Sequence, residues 1–409
     1  MATFYNDSRR IHVGYSTNVH RAESMEEVHR YLNQTTSRIR DGFMPPGRPM
    51  GIDLRLGSSL VRELTADPRA IDTLRRRLEE LNLYVFGING FPLGDFQAPV
   101  VKEAAYRPSW AHPDRLADTI AMGSILARLL PEGVGGSIST VAGGYRPLGD
   151  DPATRDIMAE AMVRAAKALS DISLDTGRII TLSPEPEPDT TMEDLSSMLS
   201  FYRDHIFPQA RRLHARGEDI VHRHLPVTLD ACHLSVVFED PRDTIRALQA
   251  AGIRIGKSNI TCCPAVLDPA HNPEGRRFLA ALNEPRFLHQ TRGRDKSGSV
   301  PLRLPDLDAF QALRNADLED ITEVRTHFHV PLFGKGGKGF STTHEDTGTF
   351  LRALLELTGC ESLAVETYTW NVFGHTPLHE AASSSLDAGL QAELGWTRDR
   401  LEEAGWEMA

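Results

Sequence analysis

Cysteine is scarce in this sequence: Cys232, Cys262, Cys263 and Cys360 are the only four in 409 residues. None falls into zinc-ribbon or dithiol-redox spacing, and the adjacent pair Cys262–Cys263 is poorly placed to bridge itself. No disulfide framework is expected, and reduced thiols in a cytoplasmic protein are the plain expectation. Long apolar runs are missing too. No stretch approaches the roughly 18 residues of a membrane span, and the opening segment "MATFYNDSRRIHVGYSTNVH" lacks the apolar core of a signal peptide. Lysine and arginine form no basic run, and the formal net charge is −11. That argues against a nucleic-acid partner or a polybasic membrane contact. It leaves room for a local positive pocket.

Apolar residues make up 40% of the chain and charged residues 25%, enough for a large core and unlike a disordered chain. The length suits one large barrel or two ordinary domains. Eight strand-like runs alternate with helical ones: 11–19, 51–57, 83–90, 135–143, 178–187, 226–233, 253–261 and 362–370. The intervening segments 25–40, 67–82, 114–130, 154–176, 192–216, 242–251 and 347–357 carry helical patterning, and Ser24 with Glu27 forms a capping-box signature. Repeated strand–helix units imply a parallel sheet. Eight of them predict an α/β fold of the (β/α)8 TIM-barrel type, with residues 1–409 as one domain. The excess length falls near strands seven and eight, where residues 262–325 are expected to form an insertion at the barrel mouth. Residues 376–409 are expected to form a helical tail, packed through Leu386, Leu390, Leu394, Leu401 and Trp406. A doubly wound sheet is the competing architecture, but no G-x-G-x-x-G follows the first strand.

Barrel enzymes carry their chemistry at the C-terminal ends of the strands. Strand five ends in "SPEPEP", which puts Glu185 and Glu187 on one face of an extended chain. Strand six ends in Asp230-Ala-Cys-His233, and strand eight meets Glu366. A further strand-like piece, "RTHFHVPLF", places His327 and His329 on one face. Strand one finishes with Asn18 and His20, and strand three with Asn89. Taken singly, each has a bland explanation: an Asp at a strand end is more often a helix cap, and H-x-H more often packs than binds metal. Yet three strands place carboxylates at one rim, and burying them without a cation is costly. Carboxylate oxygen and imidazole nitrogen together suit a divalent metal. His233, at i+3 from Asp230, is assigned to substrate contact in preference to direct ligation, and His20 and Asn89 are placed beside it as substrate contacts.

The same residues carry a family resemblance. The order "YSTNVHRAES", "LYVFGINGFP", "GSISTVAGG", "PEPEP", "LDACH", "AGIRIGKSNI", "EPRFLHQTR", "THFHVPLF" and "VETYTW" resembles the EboE family of metabolite-traffic proteins and spans residues 15–370. That family is similar to the xylose-isomerase-like TIM barrels, which include ketose epimerases and metal-dependent DNA-repair nucleases. The resemblance implies metal-ligand roles for Glu185, Asp230 and Glu366. It also implies a histidine at strand seven, where this sequence reads Gly256-Lys257-Ser258-Asn259. His327, His329 or His289 is expected to fill that role from the insertion, with His329 preferred because a strand would fix its direction. The family name comes from gene clusters that make or move a small metabolite and specifies no reaction.

The expected activity is a divalent-metal-dependent isomerase or epimerase acting on a sugar-like or cyclitol-like polyol. Mn, Fe, Co or Zn is expected over Mg, because imidazole is expected among the ligands. Glu185 and Glu366 would flank the substrate as acid and base, and Lys257 would stabilise the anionic intermediate. Arg55 and Arg292 are secondary candidates for anion contacts. Two alternatives stand beside this expectation: metal-assisted hydrolysis, and a non-catalytic barrel that binds a metabolite and hands it on. Oligomeric state, a homo-oligomer included, is left open by the sequence.

Overall fold

The computed structural model describes residues 3–375 and 385–408. A short arm, β1 (Thr3–Asn6), pairs antiparallel with β2 (Arg9–Ser16) and leads into the barrel. The strands that follow are β3 (Met50–Arg55), β4 (Leu83–Asn89), β5 (Gly136–Val141), β6 (Ile180–Glu185), β7 (Val227–Asp230) and β8 (Ile255–Ile260). Strands β9 (Pro264–Leu267), β10 (Thr291–Asp295), β11 (Leu302–Leu304), β12 (Ile321–Thr326), β13 (Gly336–Gly337) and β14 (Phe340–Thr342) come before β15 (Ser362–Val365). The chain closes with β16 (Glu407–Met408), which pairs with β1.

Eight strands form one parallel path in the order β6-β5-β4-β3-β2-β15-β8-β7. The path curls until β6 and β7 lie side by side, without ladder bonds between them. There the Thr228 hydroxyl donates to the Ser183 carbonyl at 3.3 Å, so the (β/α)8 barrel is nearly closed. These are the eight predicted strands. Their burial explains why they read as short apolar runs: β3, β4, β5 and β6 are buried at every position, as expected for strands covered on both faces. Inside the barrel, a Cβ on Gly14 would lie 2.0 Å from the Gly51 carbonyl oxygen, and the Phe86 ring fills the space both glycines leave. Glycine is required there by close approach.

Helices connect the strands as predicted, with ends set by local caps. Pro68–Glu80, Pro113–Leu129, Pro152–Thr176 and Pro241–Ala250 each begin with proline after a side-chain cap, where the missing N–H costs nothing. Ser24 caps the first helix by accepting from the Glu27 N–H, while the Glu27 carboxylate accepts from the Glu23 N–H rather than from that of Ser24 itself.

Between β8 and β15 the chain builds a second, antiparallel six-stranded sheet, ordered β11-β10-β12-β9-β14-β13. It runs from Pro264 to Thr342, but of the "RTHFHVPLF" segment only Arg325 and Thr326 belong to it, in β12; His327 and His329 lie beyond the strand expected to carry them, where the ladder has ended. A bridge between Cys262 and Val330 ties it to the end of β8. The helix Leu386–Glu403 packs against the helix Ser37–Phe43 and against β2 and β15. It buries Leu390, Leu394 and Leu401, with Trp406 following. Residues 376–384 of the expected tail lie outside the described residues. No described helix is long and apolar enough to cross a membrane.

Candidate active site

Parallel strands bring all their C-terminal ends to one rim, and the second sheet leans over it. Glu185 ends β6, Asp230 ends β7, Asn259 lies one residue from the end of β8, and Glu366 follows β15. Glu185, Asp230 and Glu366 each offer an oxygen, and these atoms all lie within 4.8 Å of one another. All three side chains are buried, none more than 5% exposed.

Amides hold the carboxylates in place. Glu366 Oε1 accepts from Asn18 Nδ2 and Asn89 Nδ2, each at 2.6 Å. Asn259 Nδ2 donates to Glu185 Oε1 at 2.7 Å and also to Glu366 Oε2. Below them Lys257 donates to Asp53 Oδ2 at 2.6 Å and to Ser139 Oγ at 3.2 Å. Burial pushes the Glu185 carboxyl up to about 8; Lys257 opposes this and Asp230 adds to it. Glu366 rises well above its ordinary value, through burial and then through Glu185. Burial also works to raise Asp230, but His233, His329 and bonds from the Thr261 hydroxyl and the His233 N–H prevail and hold it below its usual range.

So many buried acids beside one lysine call for a further cation. Two buried atoms beside these acids are left unpaired. Asp230 Oδ2 and His329 Nε2 have no hydrogen-bond partner, and they lie 4.0 Å apart. The His329 Nδ1 donates to the Glu366 backbone carbonyl, so its Nε2 carries the lone pair when the ring is neutral. Burial keeps it neutral, lowering its pKa to about 4. Three carboxylates and one imidazole nitrogen make a donor set suited to a divalent transition ion.

Residues from the barrel rim and from the segments flanking the second sheet contribute the rest. His327 faces Glu187, with Nδ1 3.2 Å from Oε1, and the same Nδ1 lies 2.8 Å from Gln290 Oε1. Tyr106 donates to Glu187 Oε1 at 2.6 Å. His233 Nδ1 donates to the Pro186 carbonyl at 2.8 Å. Asn18, Asn89, Glu185, Glu187, His233, His327, His329 and Glu366 all line one cavity, whose other wall is Phe91, Phe96, Phe287 and Tyr368.

The structure thus brings together most of the residues singled out from sequence, though not all. His20 does not line the cavity; it stacks on Tyr31 at 4.5 Å between ring centroids and meets the Tyr15 hydroxyl at 2.9 Å. Lys257 is turned to Asp53, one layer below the mouth. His289 is held between Glu284 and the His327 carbonyl. Arg55 and Arg292 are buried in ion pairs with Glu23 and with Asp189 and Glu193. Sequence reasoning passed over Asn259, Asp53, Thr261, Tyr106, Gln290 and Tyr368. Asn259 had a signal, its place at the end of the seventh barrel strand. The others are brought in by long-range contacts that no local pattern announces.

No protein-family model and no curated protein matches this sequence. Solved structures do resemble it in fold. A protein from Anabaena variabilis, provisionally described as a sugar phosphate isomerase/epimerase, superposes with a TM-score of 0.52 at 12% identity, covering 96% of this chain and 99% of that one. A D-psicose 3-epimerase determined in the presence of D-fructose superposes with a TM-score of 0.50 at 12% identity, over 96% and 99% of the two chains. At this identity the likeness is one of fold, and the shared fold is the TIM barrel that runs through these sugar isomerases and epimerases.

Proposed function

We propose that this protein is a divalent-metal-dependent isomerase or epimerase of a small sugar-like or cyclitol-like polyol. The observation that carries the reading is the buried set Glu185, Asp230 and Glu366, with oxygens within 4.8 Å of one another and His329 Nε2 unpaired beside Asp230. These four would hold the ion. When bound, such an ion supplies charge that acidifies a C–H bond next to a substrate carbonyl.

The chain's own groups do the rest. Glu185 and Glu366 form an acid/base pair, one taking a proton from carbon and the other returning it. Burial favours a shared proton on this pair, since two adjacent buried carboxylates resist ionising together. Asn18 and Asn89 fix the direction of Glu366, and Asn259 spans both acids. Lys257 supplies a fixed positive charge beneath them. The aromatic wall of Phe91, Phe96, Phe287 and Tyr368 suits the C–H face of a sugar or cyclitol ring. The two fold neighbours, a D-psicose 3-epimerase and a protein provisionally described as a sugar phosphate isomerase/epimerase, point the same way. Membership of the EboE metabolite-traffic family and a cytoplasmic location belong to the same reading, the first supported by the order of its motifs along the chain.

The test is a panel of ketoses, inosose-like cyclitols and their phosphates incubated with metal-replete protein in D2O and followed by NMR. Deuterium should enter a C–H next to the carbonyl of at least one member. Failure across the panel would leave a barrel that binds a metabolite without transforming it.

A further inference from the structure

The cavity at the barrel mouth has two chemically different halves. Its floor carries the acids, the amides and the histidines, and one acceptor there has no partner. Asn18 Nδ2 donates to Glu366 Oε1, but Asn18 Oδ1 is buried without a hydrogen bond. Because Asn18 lines the cavity, that oxygen is placed to accept from a hydroxyl of a bound molecule.

The opposite half is apolar. Phe91, Phe96, Phe287, Leu288 and Tyr368 line it, and none is more than 9% exposed. Three of the rings hold one another in place. The Phe96 centroid lies 4.9 Å from that of Phe287 and 5.3 Å from that of Tyr368, and Phe287 lies 4.9 Å from Tyr368. They come from the loop after β4, the insertion and the turn after β15, so the fold assembles this surface from three separate segments. The hydroxyls on this side are already engaged. Tyr106 donates to Glu187 Oε1 at 2.6 Å and accepts from Gln290 Nε2 at 2.7 Å, and the Tyr368 hydroxyl meets His327 Nε2 at 3.4 Å. Polyol hydroxyls pressed against this half would lose water and gain no side-chain partner, which is costly for each of them.

Charge narrows the class further. Lys102 is the only lysine or arginine among the described residues that line the cavity. Its ammonium donates to Asp306 Oδ2 at 2.6 Å and to the Glu284 carbonyl at 3.4 Å, so it is not free to receive a phosphate. Glu185, Glu187 and Glu366 line the same cavity, and a phosphate dianion buried among them would lack a side-chain counter-charge.

We infer that the substrate is an uncharged polyol joined to an apolar group, aryl or alkyl. The polyol end lies on the floor, with one hydroxyl donating to Asn18 Oδ1, and the apolar end packs against Phe96, Phe287 and Tyr368. This class rests on the polyol reading above and sharpens it, since sugar phosphates and unsubstituted polyols become the poorer ligands.

The test is calorimetric binding to the metal-replete full-length protein. D-fructose and an inosose are each compared as the free polyol, as its monophosphate, and as mono-O-benzyl and mono-O-hexyl ethers at each hydroxyl in turn. At least one ether should bind roughly tenfold or more tightly than its parent, the gain expected from burying a ring or chain of that size. The phosphates should bind more weakly than the parents. The benzyl and hexyl arms separate an aryl group from an alkyl one. Phe96→Ala should erase the advantage of the ether, and Asn18→Ala should weaken ether and parent alike, because it serves the end they share. A parent or phosphate that binds as tightly as every ether overturns the inference, and so does an ether advantage unchanged in folded Phe96→Ala. If that variant fails to fold, the wild-type series decides alone. Deuterium exchange on the same samples distinguishes the two readings. Exchange with free polyols and no ether advantage removes the apolar group and leaves the isomerase. Ethers that bind tightly without exchange keep the apolar site and remove the isomerase. No binding by any member removes both.

Discussion

Asp230 Oδ2 and His329 Nε2 face each other across 4.0 Å, both buried and neither hydrogen-bonded to any other group. A buried carboxylate oxygen and a buried imidazole nitrogen are rarely left so. Asp230 comes from the barrel and His329 from the segment that follows β12, so the second sheet completes what the strands begin. Asp230→Ala is expected to remove the ion held by the carboxylate set, leaving that site near zero occupancy by elemental analysis. His233→Ala should leave the same ion in place, because His233 belongs to the other side of the cluster.

Lys257 separates a structural role from a chemical one. It is fully buried, as is its partner Asp53, and Asp53 Oδ1 has no other hydrogen bond. Burial works to lower its pKa, but Asp53, Glu366 and Glu185 outweigh this and hold the ammonium charged. Lys257→Met would leave Asp53 as an uncompensated buried charge, a loss of about 3–5 kcal/mol. Urea unfolding of metal-free protein should show it. The double variant Lys257→Met/Asp53→Leu should recover much of that stability, and a double variant as unstable as the single would mean that Lys257 acts through Glu185 and Glu366 instead.

The barrel was legible because its strands are buried on both faces and read as short apolar runs between helices, as 83–90 and 178–187 show. Glu185, Asp230 and Glu366 were legible by position, each standing where an apolar run stops. His20 met the same positional rule yet turns onto Tyr31, because sequence position does not fix which way a side chain points after the strand ends. Asn259 was seen only as a missing histidine, although its amide links two of the acids. Glu187 was seen as one of a pair with Glu185, but its partners Tyr106 and His327 lie 81 and 140 residues away along the chain. Contacts of that range are set by topology, which spacing does not encode. The second sheet was visible only as an insertion at the barrel mouth with one strand-like piece, because several of its strands are short, β11 and β14 having three residues each.

Glu393 predicts a pH dependence away from the metal cluster. It lies on the C-terminal helix and accepts from the Thr367 hydroxyl at 2.6 Å and the Trp370 indole at 2.9 Å. Burial nonetheless pushes it up to about 7. A carboxyl raised in the folded state binds its proton more tightly there than in the unfolded chain, so stability falls as pH rises from about 4.5 to about 7 and levels off above. The fall attributable to this group is about 3 kcal/mol. Other buried acids add to the wild-type slope, so the measurement is a difference: melting temperature against pH for wild type and Glu393→Gln. The variant should show the shallower slope between pH 4.5 and 7, and parallel curves would assign the raised value to another group.

The acid/base pair makes the most direct claim on chemistry. Asn259 Nδ2 donates to both Glu185 and Glu366, which holds the two acids side by side while leaving Glu366 Oε1 to Asn18 and Asn89. Epimerisation needs a proton removed from one face of a carbon and delivered to the other, so both acids must be competent. Glu185→Gln and Glu366→Gln keep the shape and the acceptor for Asn259 but remove the basic oxygen. Each should lower solvent deuterium exchange by roughly 10²–10⁴-fold, the range of positioned acid/base groups. Since each acid is also assigned to the ion, metal content must be measured on the same samples, and the comparison made at matched occupancy. Asn259→Ala is the control on positioning. It removes the bridge while leaving both acids, so exchange should fall less than in either Gln variant and its pH profile should shift. Exchange that persists at full rate in both Gln variants would rule out the two-glutamate mechanism, whatever the metal content.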